Sequence, residues 1–162
     1  MPDISGKGCF YDRGLYFSCK RCSACCRFES GFVFLSRNDV SALKAELKLG
    51  NEEFFKLYCR WVPSLNGNLR LSLKEKTNFD CIFWSLERGG GCLVYEVRPL
   101  QCRAFPFWAS VVFNEENWRM AAGNCLGMDQ GDYHSPDSIK KWLEIRKKEP
   151  IIAKTGEVKG GS

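Results

Sequence analysis

The spacing of apolar residues predicts two consecutive helices in the first half of the chain. Apolar side chains between residues 40 and 47 recur three or four positions apart, which places them on one helical face. Ser36 stands before them as an N-cap, with Asp39 at the acidic position of a capping box. Gly50 is a typical helix stop. Residues 51–58 begin with an asparagine cap and two glutamates and continue with an apolar side, so they predict the second helix.

Shorter apolar or alternating runs predict strands. Residues 69–73 alternate leucine with arginine and serine, which is the pattern of a strand with one buried face. Residues 81–84 and 92–95 flank three glycines at 89–91 and predict a β-hairpin. Further short strands are predicted at 31–35, 109–113 and 118–122.

A last helix is predicted near the C-terminus. Ser135 is an N-cap followed by a proline at the first helical position, and the helix continues through Arg146. With the elements above, this predicts the α+β class, with helices around a short antiparallel sheet. No internal repeat and no second boundary interrupts the pattern. We therefore predict a small single domain over residues 1–150 and a flexible polar tail over residues 151–162.

Four cysteines fall within eight residues, in the stretch C-K-R-C-S-A-C-C from Cys19 to Cys26. The first three follow C-x2-C-x2-C spacing. A two-residue gap lets the chain turn back so that the sulfurs face one metal centre, and the same run binds iron–sulfur clusters in ferredoxins. Cys26 directly follows Cys25, and neighbouring side chains diverge. We therefore expect Cys26 to face a second centre or to bridge two.

The remaining candidate ligands come from both halves of the chain. The predicted hairpin brings Cys81 and Cys92 close together, Cys102 lies in a short helical turn that begins at a proline, and Cys125 lies in a loop. A centre built from them would organise the fold, because metal binding energy then becomes folding energy. The predicted metal ligands are Cys19, Cys22, Cys25, Cys26, Cys81, Cys92, Cys102 and Cys125.

Composition favours a metal site over a disulfide framework. The chain has 162 residues, of which 44% are hydrophobic and 10 are cysteine. It shows no signal-peptide pattern and no apolar run of the ~20 residues that a membrane span needs. We therefore expect a cytoplasmic protein without a membrane partner. Thiols remain reduced in the cytosol, where cysteines at this spacing bind metal.

The formal net charge of +5 raises the question of a nucleic-acid partner. Eight thiolates binding two dications would together carry a charge of −4, which lowers the balance to +1. The dense basic run at residues 140–148 is typical of a solvated helix face. A nucleic-acid partner is therefore not expected, since that role would need a clustered basic face with interleaved aromatic residues.

These features resemble the CxxCxxCC (YkgJ-like) cysteine-cluster family of bacterial proteins, which are described as zinc- or iron-chelating. The resemblance extends from about residue 15 to 128. It rests on the cysteine cluster, a glycine-rich turn before Cys92, the segment Y-x2-R-P-x2-C-R-x-F-P-F from Tyr95 to Phe107, and the late Cys125. Many relatives have glycine where this chain has Ala24. The cysteine module is also similar to that of the longer flagellin lysine N-methylases.

The resemblance implies metal binding, with zinc and an iron–sulfur cluster as equal alternatives. Four thiolates form a closed, structural zinc site. A [4Fe–4S] cluster is favoured by the ferredoxin-like run and by Arg98 and Arg103, which flank Cys102 and would offset the negative charge of a cluster. We predict these two arginines as cofactor-binding residues.

The first functional hypothesis is a cytosolic metal-binding protein whose cysteines hold one or two zinc or iron–sulfur centres. The alternatives are an iron–sulfur-dependent enzyme of redox, radical or protein-modifying type, and a thiol–disulfide redox switch. No serine-hydrolase, phosphate-loop or dinucleotide-binding motif is present, so catalytic residues stay undefined and a protein partner or substrate stays open.

Three further residues have simpler predicted roles. His134 is the only histidine and is expected to face solvent in a polar loop, with a ligand or general-base role as the alternative. Cys59 is expected to be a buried core thiol, and Cys9 a thiol outside the metal centres.

Overall fold

The computed structural model describes residues 8–156, which divide into two compact units by their internal contacts. Unit 1 consists of residues 8–25 and Ala104–Lys148, and unit 2 consists of Cys26–Arg103 and residues 149–156. Both contain helices and short antiparallel strands, which confirms the α+β class. The chain thus crosses from one unit to the other between two adjacent cysteines. That both units act as one domain over residues 1–150 stays a prediction.

The sheet of unit 2 is built on a regular hairpin. β2 (Cys59–Pro63) and β3 (Leu69–Leu73) pair antiparallel, with Cys59 opposite Leu73. The segment predicted as a strand at 31–35 forms only an isolated antiparallel bridge between Phe34 and Ser72. The Phe34 N–H donates to the Gln101 side chain, which lies on a helix farther along the chain.

Two helices pack on this sheet and form the core of unit 2. α1 (Arg37–Leu47) begins with the predicted capping box: the Ser36 hydroxyl accepts from the Asp39 N–H, and the Asp39 carboxylate accepts from the Ser36 N–H at 2.8 Å. α1 ends at Lys48, which adopts a left-handed conformation, and not at the predicted Gly50. Gly50 is instead the N-cap of α2 (Asn51–Tyr58), so the predicted cap at Asn51 is wrong by one position.

Four side chains of this core are fully buried, and they come from both helices, from β3 and from the residue before the N-cap of α1. They are Leu35, Leu43, Phe54 and Leu71.

The cysteine-bearing hairpin is shorter than predicted. β4 (Trp84–Ser85) pairs with β5 (Gly91–Cys92), and the intervening glycines adopt positive φ angles that L side chains rarely reach. Cys92 therefore lies opposite Trp84, whereas Cys81 precedes the ladder and bridges to Glu75.

The segment after the hairpin is helical. A 3₁₀ turn at Tyr95–Val97 replaces the predicted end of the strand, and α3 (Leu100–Ala104) follows a proline as expected. Cys102 therefore lies on a helix of one and a half turns, whose position depends on the contacts that hold it.

Unit 1 has its own sheet and its own core. β1 (Leu15–Phe17) pairs antiparallel with β6 (Met128–His134). Neither strand was predicted, because β1 is short and β6 is mostly polar. Phe107, Trp118 and Ile139 are among the buried side chains of this core.

The helices of unit 1 correct one prediction and confirm another. The strand predicted at 118–122 belongs to α4 (Glu115–Ala122), because the Asn114 side chain caps a helix by accepting from the Asn117 N–H at 2.8 Å. The strand predicted at 109–113 is a series of turns. α5 (Pro136–Lys148) begins where it was predicted.

The predicted tail begins too early. Ile152 donates to the Leu35 carbonyl at 2.8 Å and accepts from the Leu71 N–H at 2.9 Å, and β7 (Ala153–Lys154) pairs with β3. Backbone pairing holds this segment, and Ile152 also packs against the core of unit 2. Residues 157–162 lie outside the described part of the chain. Among the described helices, none has the length and apolarity required to cross a bilayer.

Candidate metal centre

The eight predicted ligands divide equally between the two units. The unit boundary falls between Cys25 and Cys26, and the chain returns to unit 1 just after Cys102. Unit 1 contains Cys19, Cys22, Cys25 and Cys125, and unit 2 contains Cys26, Cys81, Cys92 and Cys102.

In unit 1, the first three cysteines lie on an exposed loop that follows β1. The loop begins at Ser18, whose N–H donates to the Gly127 carbonyl at 3.1 Å. The Cys19 sulfur accepts from the Arg21 N–H at 3.4 Å. Arg21 and Ser23 have φ angles of 51° and 64°, and such left-handed non-glycine residues concentrate at ligand-binding sites.

Cys125 lies within electrostatic range of this loop. Burial is the largest effect and raises the pKa of the Cys125 thiol, while the N–H groups of Gly127 and Met128 hydrogen-bond to it and act in the opposite direction. Negative charge on Cys22 and Cys25 raises this pKa further. These interactions place the late cysteine near two cysteines of the loop. That the four share a metal stays a prediction.

In unit 2, backbone contacts connect three of the four cysteines. The Cys81 N–H donates to the Cys26 carbonyl at 2.7 Å, and the Trp84 N–H donates to the Cys81 carbonyl at 2.9 Å. Cys92 lies directly opposite Trp84 in the hairpin. All four cysteines of unit 2 are half-buried, in contrast to the exposed loop of unit 1.

The fourth cysteine, Cys102, is positioned by two side chains that hold α3. Asp39, only 3% exposed, accepts from the Leu100 N–H at 2.8 Å in addition to capping α1. Gln101 accepts from the Phe34 N–H at 2.9 Å and donates to the Phe32 carbonyl at 2.7 Å. These hydrogen bonds join α3 to α1 and to the segment before it, so they fix the position of the helix that carries Cys102.

The donor chemistry of both sets fits a soft metal, because thiolates select zinc, copper(I) and iron–sulfur clusters. In residues 8–156, however, no group of three or more His, Cys, Asp or Glu side chains has an arrangement that could hold a metal ion. The fit therefore rests on ligand type and on the local approach of the cysteines within each unit.

The two predicted cofactor-binding arginines make contacts within their own segment. The Arg98 guanidinium stacks 3.6 Å from the Tyr95 ring centre and donates through Nε to the Tyr95 carbonyl. Arg103 donates through Nε to the Arg98 carbonyl at 2.9 Å. Both line a cleft of about 240 Å³ that also includes Glu96 and Glu149. Their contact with a cofactor stays a prediction.

Sequence reasoning missed a polar group beside the unit 2 cysteines. Arg27 donates to the buried Asp80 carboxylate at 3.2 Å and stacks 3.7 Å from the centre of the Trp84 ring. The Trp84 Nε1 atom is buried and has no hydrogen-bond partner among the described residues. In the sequence, only their positions near the cysteines could have indicated these residues: Arg27 follows Cys26 directly, and Trp84 lies three residues after Cys81.

The residues outside the predicted ligand set have local roles. His134 is half-buried, with Nε2 at 2.9 Å from the Phe17 carbonyl, so the expectation that it faces solvent is wrong. Cys59 is buried as predicted, and burial raises its pKa to about 11. Cys9 is exposed and forms a hydrogen bond with the Tyr11 side chain.

Comparisons with known proteins identify the family of this chain. Residues 18–126 match the CxxCxxCC family, described as "Putative zinc- or iron-chelating domain". The chain is also similar to "Uncharacterized protein MJ0661" of Methanocaldococcus jannaschii, with 26% identity over 140 residues, which cover 83% of this chain and 70% of that protein. No solved structure matches the chain. Since the family match covers well over half of its length, the chain belongs to the CxxCxxCC family.

Proposed function

We propose that this chain is a metal-binding protein with two separate four-cysteine centres, one in each unit. The unit-1 centre consists of Cys19, Cys22, Cys25 and Cys125, and the unit-2 centre consists of Cys26, Cys81, Cys92 and Cys102. The observation that carries this proposal is the division of the chain between Cys25 and Cys26, which gives each unit four of the eight predicted ligands. Four thiolates complete one tetrahedral zinc site or hold one [4Fe–4S] cluster.

Backbone contacts support the unit-1 centre. N–H groups already donate to the sulfurs of Cys19 and Cys125, and a thiolate is a stronger acceptor than a thiol. The same contacts would hold the sulfurs in place once a metal replaces their protons. Cys22 and Cys25 complete this set because they lie in electrostatic range of Cys125.

Burial and connectivity support the unit-2 centre. Its half-buried cysteines lie on four separate stretches of one unit, and two of them pack against the hydrophobic core. A metal bound there would close three loops of the chain. Its binding free energy would therefore contribute to the stability of unit 2.

A complete set of four protein ligands favours a structural or electron-carrying role over metal-assisted catalysis. A catalytic metal keeps an open position for water or substrate, whereas four cysteines close both proposed centres. Zinc and an iron–sulfur cluster suit these ligands equally. A cytoplasmic location agrees with the proposal, since reduced thiols are required for either metal.

The test is metal and sulfide analysis of protein purified without oxygen, together with its visible spectrum. We expect about two zinc ions per chain and no colour, or a brown protein with about four irons and four sulfides per centre. Cys22→Ser and Cys92→Ser should each remove half of the metal, and the double variant should remove all of it. Cys9→Ser, at an exposed thiol outside both centres, is the matched control and should retain full loading.

Three results would contradict the two-centre proposal. Complete loss of metal in either single variant would indicate one shared centre. Retention of full loading in Cys92→Ser would exclude the unit-2 centre. Metal-free wild-type protein that loses thiols reversibly on oxidation would instead support the thiol–disulfide switch.

A further inference from the structure

An unpartnered donor lies beside the cysteines of unit 2. Trp84 is only 6% exposed, and its Nε1–H has no hydrogen-bond acceptor in the described part of the chain. A buried indole N–H almost always finds an acceptor. The contrast within the same chain is Trp118, which is 3% exposed and donates through Nε1 to the Asp129 carboxylate at 2.8 Å.

The neighbours of Trp84 suggest which acceptor is missing. Trp84 lies directly opposite Cys92 in an antiparallel ladder, where paired side chains project to the same face with Cβ atoms about 5 Å apart. The backbone N–H of Trp84 donates to the Cys81 carbonyl. Arg27, which follows Cys26, stacks on its ring. Of the proposed unit-2 ligands, Cys92 is thus paired with Trp84 in the sheet, Cys81 accepts from its backbone N–H, and Cys26 directly precedes the arginine that stacks on its ring.

We propose that the Trp84 indole N–H donates a hydrogen bond to a cysteine sulfur of the metal-loaded unit-2 centre, with Cys92 as the acceptor. This inference rests on the proposed unit-2 centre. Metal binding converts the thiol into a thiolate, which is a much better acceptor than a thiol. The bond would thus form on loading and give the buried donor its partner. Trp84 acts here as a positioning residue, and it contributes no metal ligand.

The Arg27 side chain adds to this arrangement. Its guanidinium is fixed by the ion pair to Asp80 and lies against the indole ring, which holds the ring in one orientation. Hydrogen bonds and positive charge around metal-bound sulfur stabilise the thiolate form and tune the reduction potential of a cluster. The consequence is tighter metal binding by the unit-2 centre alone.

The direct test is NMR of the full chain with ¹⁵N-labelled tryptophan, before and after loading with Cd²⁺, a soft ion that accepts four thiolates. The Trp84 indole signal is identified by its absence in Trp84→Phe. On loading, we expect this proton to move downfield, to exchange with solvent at least tenfold more slowly, and to show scalar coupling to ¹¹³Cd. The Trp118 signal is the internal control and should change little, because its N–H already has a partner.

Affinity measurements provide a second readout. Trp84→Phe keeps an aromatic ring but removes the donor, and it should weaken Cd²⁺ binding at the unit-2 centre by about tenfold to a hundredfold. Trp118→Phe, the matched variant, should leave that affinity unchanged. If the unit-2 centre fills with one Cd²⁺ while the Trp84 signal and its exchange rate stay the same, the hydrogen bond is excluded. If Cd²⁺ does not bind at unit 2 at all, the proposed centre fails and this inference fails with it.

Discussion

The two units contribute the same number of proposed metal ligands, but from different kinds of segment. Unit 1 takes three of its four from one exposed loop of seven residues, Cys19–Cys25, and adds Cys125 from a distant segment. Unit 2 takes each of its four from a different stretch, and all four are half-buried. The first set is mostly local in the chain. The second exists only once β4, β5 and α3 are in place.

This difference predicts different coupling between metal and fold. A cross-link stabilises the folded state by removing conformational entropy from the unfolded chain, and it removes more when it closes a long loop than when it closes a short one. A metal at the unit-2 centre would close three loops of about ten residues or more, whereas the unit-1 centre closes one long loop, to Cys125, and two very short ones, so the unit-2 metal should stabilise its unit more. A metal at the unit-1 centre should add less stability and exchange faster with chelators, because three of its ligands are exposed.

The largest expected effect comes from removing one ligand in each unit. Cys92→Ser should lower the unfolding free energy of the metal-loaded protein by about 3 kcal/mol, or about 6–12 °C in Tm. Cys22→Ser should lower it by less, about 2 kcal/mol, because two of the three loops that the unit-1 centre closes are very short and only the loop to Cys125 is long. Thermal unfolding followed by circular dichroism, with metal content measured on the same samples, checks both values. Equal losses of unfolding free energy in the two variants would contradict the stronger coupling between metal and fold that is expected for unit 2.

A smaller effect should come from the side chain that holds α3. Asp39→Ala removes the acceptor for the Ser36 and Leu100 N–H groups and should cost about 2 kcal/mol. It should also weaken metal binding in unit 2, because α3 carries Cys102. Urea unfolding and metal titration measure the two effects.

The control for Asp39 is a helix cap in the other unit. Asn114→Ala removes the N-cap of α4 and should cost about 1 kcal/mol, without any change in metal binding at unit 2. A reduced metal affinity in the Asp39 variant but not in the Asn114 variant would show that the position of α3 matters, beyond general stability. The same affinity in both variants would show that Cys102 does not depend on Asp39.

A third change tests the connection between the loop and Cys125 in unit 1. A Cβ at Gly127 would overlap the Ser18 carbonyl oxygen, so Gly127→Ala must displace the segment that follows Cys125. We expect strain of about 1 kcal/mol and metal binding at the unit-1 centre weakened by up to about tenfold. Gly31→Ala is the control, since nothing lies within 4 Å of its Cβ position. Chelator competition measures both affinities, and equal values would exclude a role for this close approach.

The elements that the sequence predicted correctly are those with local signals. α1 has its capping box at Ser36 and Asp39, and α5 has its serine cap and first-turn proline. Residues 118–122 were predicted as a strand, although they lie in α4, because their apolar run also suits a strand. The deciding contact, Asn114 to the Asn117 N–H, is equally local, but asparagine is as common in turns as at caps.

Other elements had no local signal to find. β6 reads M-D-Q-G-D-Y-H, without the alternation of a half-buried strand, and it forms because β1 provides a backbone partner. β7 likewise depends on the free edge of β3. Such strands are set by long-range pairing, which residue patterns do not contain.

The same limit applies to the candidate centres. Cysteine spacing identified the candidate ligands, because C-x2-C-x2-C geometry is a property of the local chain. The assignment of Cys25 and Cys26 to different units depends on where the chain leaves unit 1 and returns to it. The sequence could not predict a role for Trp84 either, because the role rests on a buried indole N–H without an acceptor, and burial is known only from the fold.

The smallest expected effect concerns Cys9 and Cys59, the two thiols outside both proposed centres, one in each unit. Burial raises the pKa of Cys59 to about 11, opposed by the nearby Lys74, so at pH 8 its thiolate is roughly a hundredfold scarcer than that of an ordinary thiol. Alkylation of metal-loaded protein at pH 8, followed by mass spectrometry of peptides, should label exposed Cys9 rapidly and Cys59 at least a hundredfold more slowly.

Raising the pH should change this contrast in a defined direction. The unfolded chain loses the Cys59 proton near pH 9, before the folded chain does, so the contribution of Cys59 to stability is complete below pH 9 and is lost as pH rises toward about 11. Over that interval Cys59 labelling should accelerate and the unfolding free energy of wild type should fall more than that of Cys59→Ala, which has no proton to lose. Fast labelling of Cys59 at pH 8 would show that the core of unit 2 opens readily. Unit 2 would then lack the rigid core on which the contrast between the two centres depends.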